Sequence, residues 1–152
     1  MNIISKLKEF LLPEGPSIVY IALNEFPFSQ HDSIIKLLNL TIETVFYLEV
    51  RCIIGGEPGW KSLLKYNIKQ FLSKISEEDL KFRKRKQLED DFFLIEYNPD
   101  VEDFDDIYEG ICKWIFPQCH CIVHHGSSTM TALSLTAGIP TVIVSTFPEQ
   151  VI

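Results

Sequence analysis

The segment 121–129 carries the side chains and backbone groups that could bind an anion. A short apolar strand runs there into two histidines, a glycine and three hydroxyl residues, and a helix is predicted to begin at once. Backbone N–H groups at a helix start lack intrahelical partners and carry partial positive charge, which suits a phosphate. Gly126 permits close backbone approach, and His125 can supply a charge-assisted hydrogen bond. The alternative is an ordinary strand-to-helix connection with Ser127 or Ser128 as its N-cap.

The elements around this segment alternate between strand and helix. Apolar runs that read as buried strands cover 17–23, 50–54, 92–97, 120–123 and 141–144, the second of them ended by Gly55 and Gly56. Helical spacing is found over about 29–48, 60–71, 76–90, 107–116 and 128–137, with Gly138 as the last C-cap. This alternation predicts an α/β fold with a doubly wound, mainly parallel sheet. Residues 1–16 are expected to be a lead-in, and 17–152 one Rossmann-like domain, incomplete at its C-terminus, with a charged helical insertion at about 69–91.

Topology adds a second argument for a site. In a doubly wound sheet the first and fourth strands lie side by side where the strand order reverses, and ligands bind beyond their carboxyl ends. Segments 24–28 and 124–128 are therefore expected on opposite lips of one crevice.

Composition excludes several classes of protein. The net charge of −7 argues against a general nucleic-acid surface, and the basic run 81–86 is expected to be a solvated helix face. No apolar stretch approaches the roughly 18 to 20 residues that span a bilayer. Four cysteines without a Cys-x-x-Cys pair indicate reduced, buried thiols in a cytoplasmic protein.

Several motifs together resemble those of the UDP-sugar glycosyltransferases, above all the sterol 3-beta-glucosyltransferases. The specific ones are Trp-Ile-Phe-Pro-Gln at 114–118, His-His-Gly-Ser at 124–127, Ala-Gly-Ile-Pro at 137–140 and Glu-Gln at 149–150. Upstream, segments 19–21, 51–54 and 59–60 resemble the family's first two strands and its Gly-Trp element. The resemblance implies the C-terminal, donor-binding half of the two-domain GT-B fold.

That resemblance also implies roles for individual residues. His125, Gly126 and Ser127 would hold the diphosphate of UDP-glucose, supported by Ser128 and Thr131. A further pair, Glu149 and Gln150, would bind hydroxyls of the sugar. UDP-glucose would be a substrate, with no metal or other cofactor expected.

The same resemblance places the catalytic base outside this chain. The histidine that acts as the family's general base belongs to an N-terminal half, as does the acceptor pocket. No segment of this sequence matches that half, so no catalytic residue is assigned. The isolated chain is expected to be inactive as a hexosyltransferase. The lipophilic acceptor, and any peripheral membrane contact, would involve parts of a full-length protein beyond this segment.

Departures from the family pattern leave two other functions open. The glycine-rich Gly-Phe-Gly-Ser turn reads here as Ala-Leu-Asn-Glu at 22–25, Met130 replaces a threonine at the helix start, and Cys112 replaces a histidine. These losses fit a diverged, non-catalytic domain that acts as an interaction module. A third reading is another nucleotide-binding Rossmann-type domain.

Overall fold

The computed structural model describes residues 2–12, 14–25, 31–82, 88–98 and 100–144. Its helices are α1 Ile3–Leu11, α2 His31–Leu48, α3 Trp60–Lys74, α4 Glu77–Phe82, α5 Phe104–Ile115 and α6 Ser128–Ala137. Its strands are β1 Ile18–Ala22, β2 Arg51–Gly56, β3 Phe92–Glu96, β4 Cys121–His124 and β5 Thr141–Ile143. None of the described helices combines the length and the apolar character that a membrane span needs.

The five strands form one parallel sheet in the order β3-β2-β1-β4-β5. Val19 at the centre of β1 pairs with Cys52 of β2 on one side and with Cys121 of β4 on the other. The chain thus builds outward from β1 to β3, returns, and continues from β4. This arrangement confirms the predicted Rossmann-like α/β fold, with the order reversing between β1 and β4.

Helices cover both faces of the sheet because the central strands are apolar on both sides. One core joins α1, α5 and α6 to the sheet and is centred on Tyr20, Ile53 and Ile122. The other joins α2 and α3 to the opposite face through Cys52 and Ile54. Strand β2 is buried along its whole length, as expected of a parallel strand between two helical layers.

Three of the expected elements need correction. The lead-in contains α1, whose Leu7 is completely buried in the first core, and Asn2 caps it by accepting the N–H of Ser5. Strand β2 does not end at Gly55 but includes both glycines. Of the charged helix predicted over 76–90, α4 covers Glu77–Phe82, residues 83–87 lie outside the described residues, and 88–91 forms a 3-10 turn that buries Leu88.

Candidate functional site

A cleft of about 460 Å³ lies where the strand order reverses. Its walls come from the turn after β1, from the residue after β3, from α5 and from the start of α6. The residues that line it are Asn24, Tyr97, Asp105, Tyr108, Glu109, Ser127, Thr129, Met130 and Leu133. The structure therefore brings Asn24 and Ser127 to one cleft, as the topological argument predicts.

The turn from β4 into α6 is organised by His124. This side chain is completely buried, and its Nδ1 accepts the backbone N–H of Gly126 at 2.9 Å. Gly126 has a φ of 100°, which a residue with a Cβ rarely adopts. Burial, and secondarily the neighbouring His125, lower the pKa of His124, so the ring is neutral with its proton on Nε2. The amide of Gly126 is consequently engaged inside the protein.

The first turn of α6 keeps backbone donors available. Ser127 is the N-cap, and its Oγ accepts the N–H of Met130 at 3.2 Å. No acceptor is found among the described residues for the N–H groups of Ser127, Ser128 and Thr129. The predicted cap is therefore present, and three donors remain at the positive end of the helix.

Thr131 supports the turn through the protein itself. Its hydroxyl donates to the carbonyl of Ser127 at 2.7 Å, and its own N–H donates to the same oxygen at 2.9 Å. Thr131 thus stabilises the helix start, while its hydroxyl is already committed to that bond.

The segment that follows β1 and lines the cleft through Asn24, here called the β1 lip, is hydrogen-bonded to a buried chain of polar groups. The sequence did not predict this chain. Tyr108 of α5 donates to Asn24 Oδ1 at 3.3 Å and hydrogen-bonds the hydroxyl of Tyr20, which in turn lies 3.7 Å from the sulfur of Cys112. Burial, with smaller effects of Tyr108 and Cys112, raises the pKa of Tyr20, so this hydroxyl stays protonated. The sequence signal for Tyr108 was only its place on the apolar face of α5.

The remaining wall of the cleft is acidic. Asp105 accepts a hydrogen bond from the hydroxyl of Tyr97, and Glu109 forms an ion pair with Lys113 at 3.2 Å. Carboxylates disfavour a second anion but accept hydrogen bonds from the hydroxyls of a sugar or a ribose. The cleft therefore has a donor-rich side at α6 and an acceptor-rich side at α5.

Of the other predicted site residues, two lie near the start of α6 and two are not described. His125 follows β4 directly and is partly buried, and Ser128 is the exposed first residue of α6. Glu149 and Gln150 lie outside the described residues.

Comparison with known proteins was consistent with the motif resemblance. A sterol 3-beta-glucosyltransferase of Yarrowia lipolytica is 28% identical over 138 residues, which cover 90% of this chain and 7% of that protein. A sterol 3-beta-glucosyltransferase of Pichia angusta is 26% identical over 149 residues, 98% of this chain and 10% of that protein. The chain is a diverged, partial relative of the glycosyltransferases.

The similarity is distributed unevenly along the chain. A sterol 3-beta-glucosyltransferase of Arabidopsis thaliana is 54% identical over 37 residues, which cover 24% of the chain and 6% of the plant protein. No protein-family model matches the chain. The chain spans a tenth or less of the length of the curated relatives described here, as the 7% and 10% shares of the two yeast proteins show.

Proposed function

We propose that this chain is the donor-binding part of a glycosyltransferase of GT-B type that uses a UDP-sugar. The sugar would be a hexose, by resemblance glucose, and the acceptor a sterol or another lipophilic alcohol. One observation carries the proposal. Three backbone N–H groups, of Ser127, Ser128 and Thr129, lack an acceptor among the described residues and lie at a helix N-terminus beside the cleft, at the point of strand-order reversal.

The chemistry of transfer fits this arrangement. When the bond between the sugar and the diphosphate breaks, negative charge grows on the departing UDP. Backbone donors held rigidly at the start of α6, together with His125, stabilise that charge more strongly than they stabilise the bound donor. Glu149 and Gln150 would hold hydroxyls of the sugar. The base that activates the acceptor would come from another domain, so the chain alone binds the donor without completing transfer.

Thermal melting with UDP tests the proposal. A ligand present at one hundred times its dissociation constant stabilises the native state by about 2.7 kcal/mol. For a chain of this size that corresponds to a rise in melting temperature of roughly 5 to 10 °C. Uridine, which lacks the diphosphate, should give a much smaller rise. His125→Ala should reduce the UDP effect, and Thr136→Ala, at an exposed position of α6, should preserve it.

The second candidate, a non-catalytic interaction module, has specific support of its own. The amide of Gly126 is engaged by His124, and the carboxylates of Asp105 and Glu109 line the cleft. Both features weaken an anion site. If saturating UDP leaves the melting temperature unchanged, donor binding by this chain is wrong and the interaction module becomes the better account.

A further inference from the structure

Within the described part of the chain, the side-chain amide of Asn24 is hydrogen-bonded through its oxygen and not through its nitrogen. Its Oδ1 accepts the hydroxyl of Tyr108 at 3.3 Å, while its Nδ2 has no acceptor among the described residues. Asn24 also lines the cleft, together with Ser127 at the start of α6. An amide fixed through its oxygen presents two N–H donors from its nitrogen.

The hydrogen bonds of the buried chain agree with this orientation of the amide. Tyr108 has one hydroxyl hydrogen, and it is donated to Asn24 Oδ1. The Tyr20 hydroxyl must then donate to the Tyr108 oxygen, and the thiol of Cys112 can donate to Tyr20. With the hydrogens directed in this way, the Tyr108 hydroxyl accepts from Tyr20 and donates to the amide oxygen, so both of its bonds are satisfied.

Packing at β2 holds the same groups in place. A Cβ on Gly55 would lie 2.6 Å from Asn24 Oδ1 and 2.9 Å from the Tyr20 hydroxyl oxygen. Only glycine therefore lets the amide and the two hydroxyls meet at the end of β2. The glycine is used here for close packing of polar side chains rather than for a turn.

We propose that the Nδ2 amide of Asn24 is a second anion donor of the cleft, which binds the diphosphate from the β1 lip. Tyr108 is its positioning residue. This inference rests on the proposed function and deepens it. Segment 22–25, at the end of β1 on this side of the cleft, contains no glycine whose backbone could approach a ligand closely. A fixed side-chain donor supplies at Asn24 what a closely approaching backbone would otherwise supply.

Titration calorimetry with UDP and with inorganic pyrophosphate tests the assignment. A hydrogen bond to a charged group contributes about 1.5 to 3 kcal/mol, or about a tenfold or greater change in affinity. Asn24→Ala should weaken the binding of both ligands by about tenfold. Asn24→Asp should weaken them further, because a carboxylate replaces the donor. Uridine binding should change little in either variant.

Tyr108→Phe separates positioning from packing, since it keeps the ring and removes only the hydroxyl. It should weaken UDP binding by about threefold or more, whereas Tyr66→Phe, at an exposed position of α3, should have no effect. In the Asn24→Ala background, Tyr108→Phe should cause no additional loss. An equal loss in both backgrounds would show that Tyr108 acts independently of Asn24 and would overturn its positioning role.

The outcomes distinguish this inference from the proposed function. If the parent chain binds neither UDP nor pyrophosphate, both fall. If the parent binds UDP, and Asn24→Ala folds normally and binds it equally well, the proposed function stands and the role of Asn24 is wrong. A change in the Asn24 side-chain amide resonance on adding pyrophosphate, absent on adding uridine, would support the direct contact.

Discussion

Gly55 shows how much at this site depends on single atoms. Its missing Cβ leaves room for polar side chains from β1, from the following turn and from α5. Local signals predicted the residues that cap α6, because a serine before a helix and a glycine after it act within one turn. The bond from Gly126 to His124 was not predictable in the same way, since it depends on the burial of the imidazole.

Substitution at Gly55 should therefore be costly. Gly55→Ala places a methyl group against closely packed side-chain oxygens of Tyr20, Asn24 and Tyr108. We expect the unfolding free energy to fall by about 1 to 3 kcal/mol. Gly110→Ala is the matched control. It lies within α5, its Cβ would meet nothing within 4 Å, and alanine should stabilise the helix by about 0.5 to 1 kcal/mol. Chemical denaturation measures both, and equal effects would contradict this account of Gly55.

Among the elements, α1 depends most on contacts distant in sequence. A nine-residue helix is marginal by itself, which is why no helix was predicted in the lead-in. In the fold, the guanidinium of Arg51 donates to the carbonyls of Phe10 at 2.6 Å and Pro16 at 3.2 Å and lies over the Phe10 ring. A buried cation on β2 thus fixes the end of the helix.

Removing that cation should release α1. Arg51→Met keeps an apolar stem but leaves two carbonyls without their donor. We therefore expect the free energy of unfolding to fall by about 2 to 4 kcal/mol. Hydrogen exchange should show the amides of α1 losing protection before those of β1. Lys69→Met, at an exposed position of α3, should change neither quantity. Unaltered protection of α1 in Arg51→Met would contradict the anchoring role.

At the scale of the whole molecule, the strand order and the place of the cleft could be predicted because each strand is strongly apolar and parallel crossovers have one hand. The wall formed by Tyr97, Asp105 and Tyr108 could not be predicted, since α5 reaches the cleft only once α1, α5 and α6 share one face of the sheet. Its acidic character appears only in the folded chain. Roles for Glu149 and Gln150 stay predictions.

The central claim is that the start of α6 binds a diphosphate through its backbone. Ser128 is the first helical residue, and Ser127 before it has a φ of −60° and a ψ of 151°, which a following proline accepts. Ser128→Pro should therefore preserve the fold and remove one donor, whereas Ser128→Ala removes only the hydroxyl.

The deciding measurement is the UDP dissociation constant of these two variants by titration calorimetry. Ser128→Ala should bind within about threefold of the parent, and Ser128→Pro should bind about tenfold or more weakly, with a melting temperature at least as high. If Ser128→Pro binds UDP as tightly as Ser128→Ala, the backbone of α6 does not hold the diphosphate, and the account is contradicted.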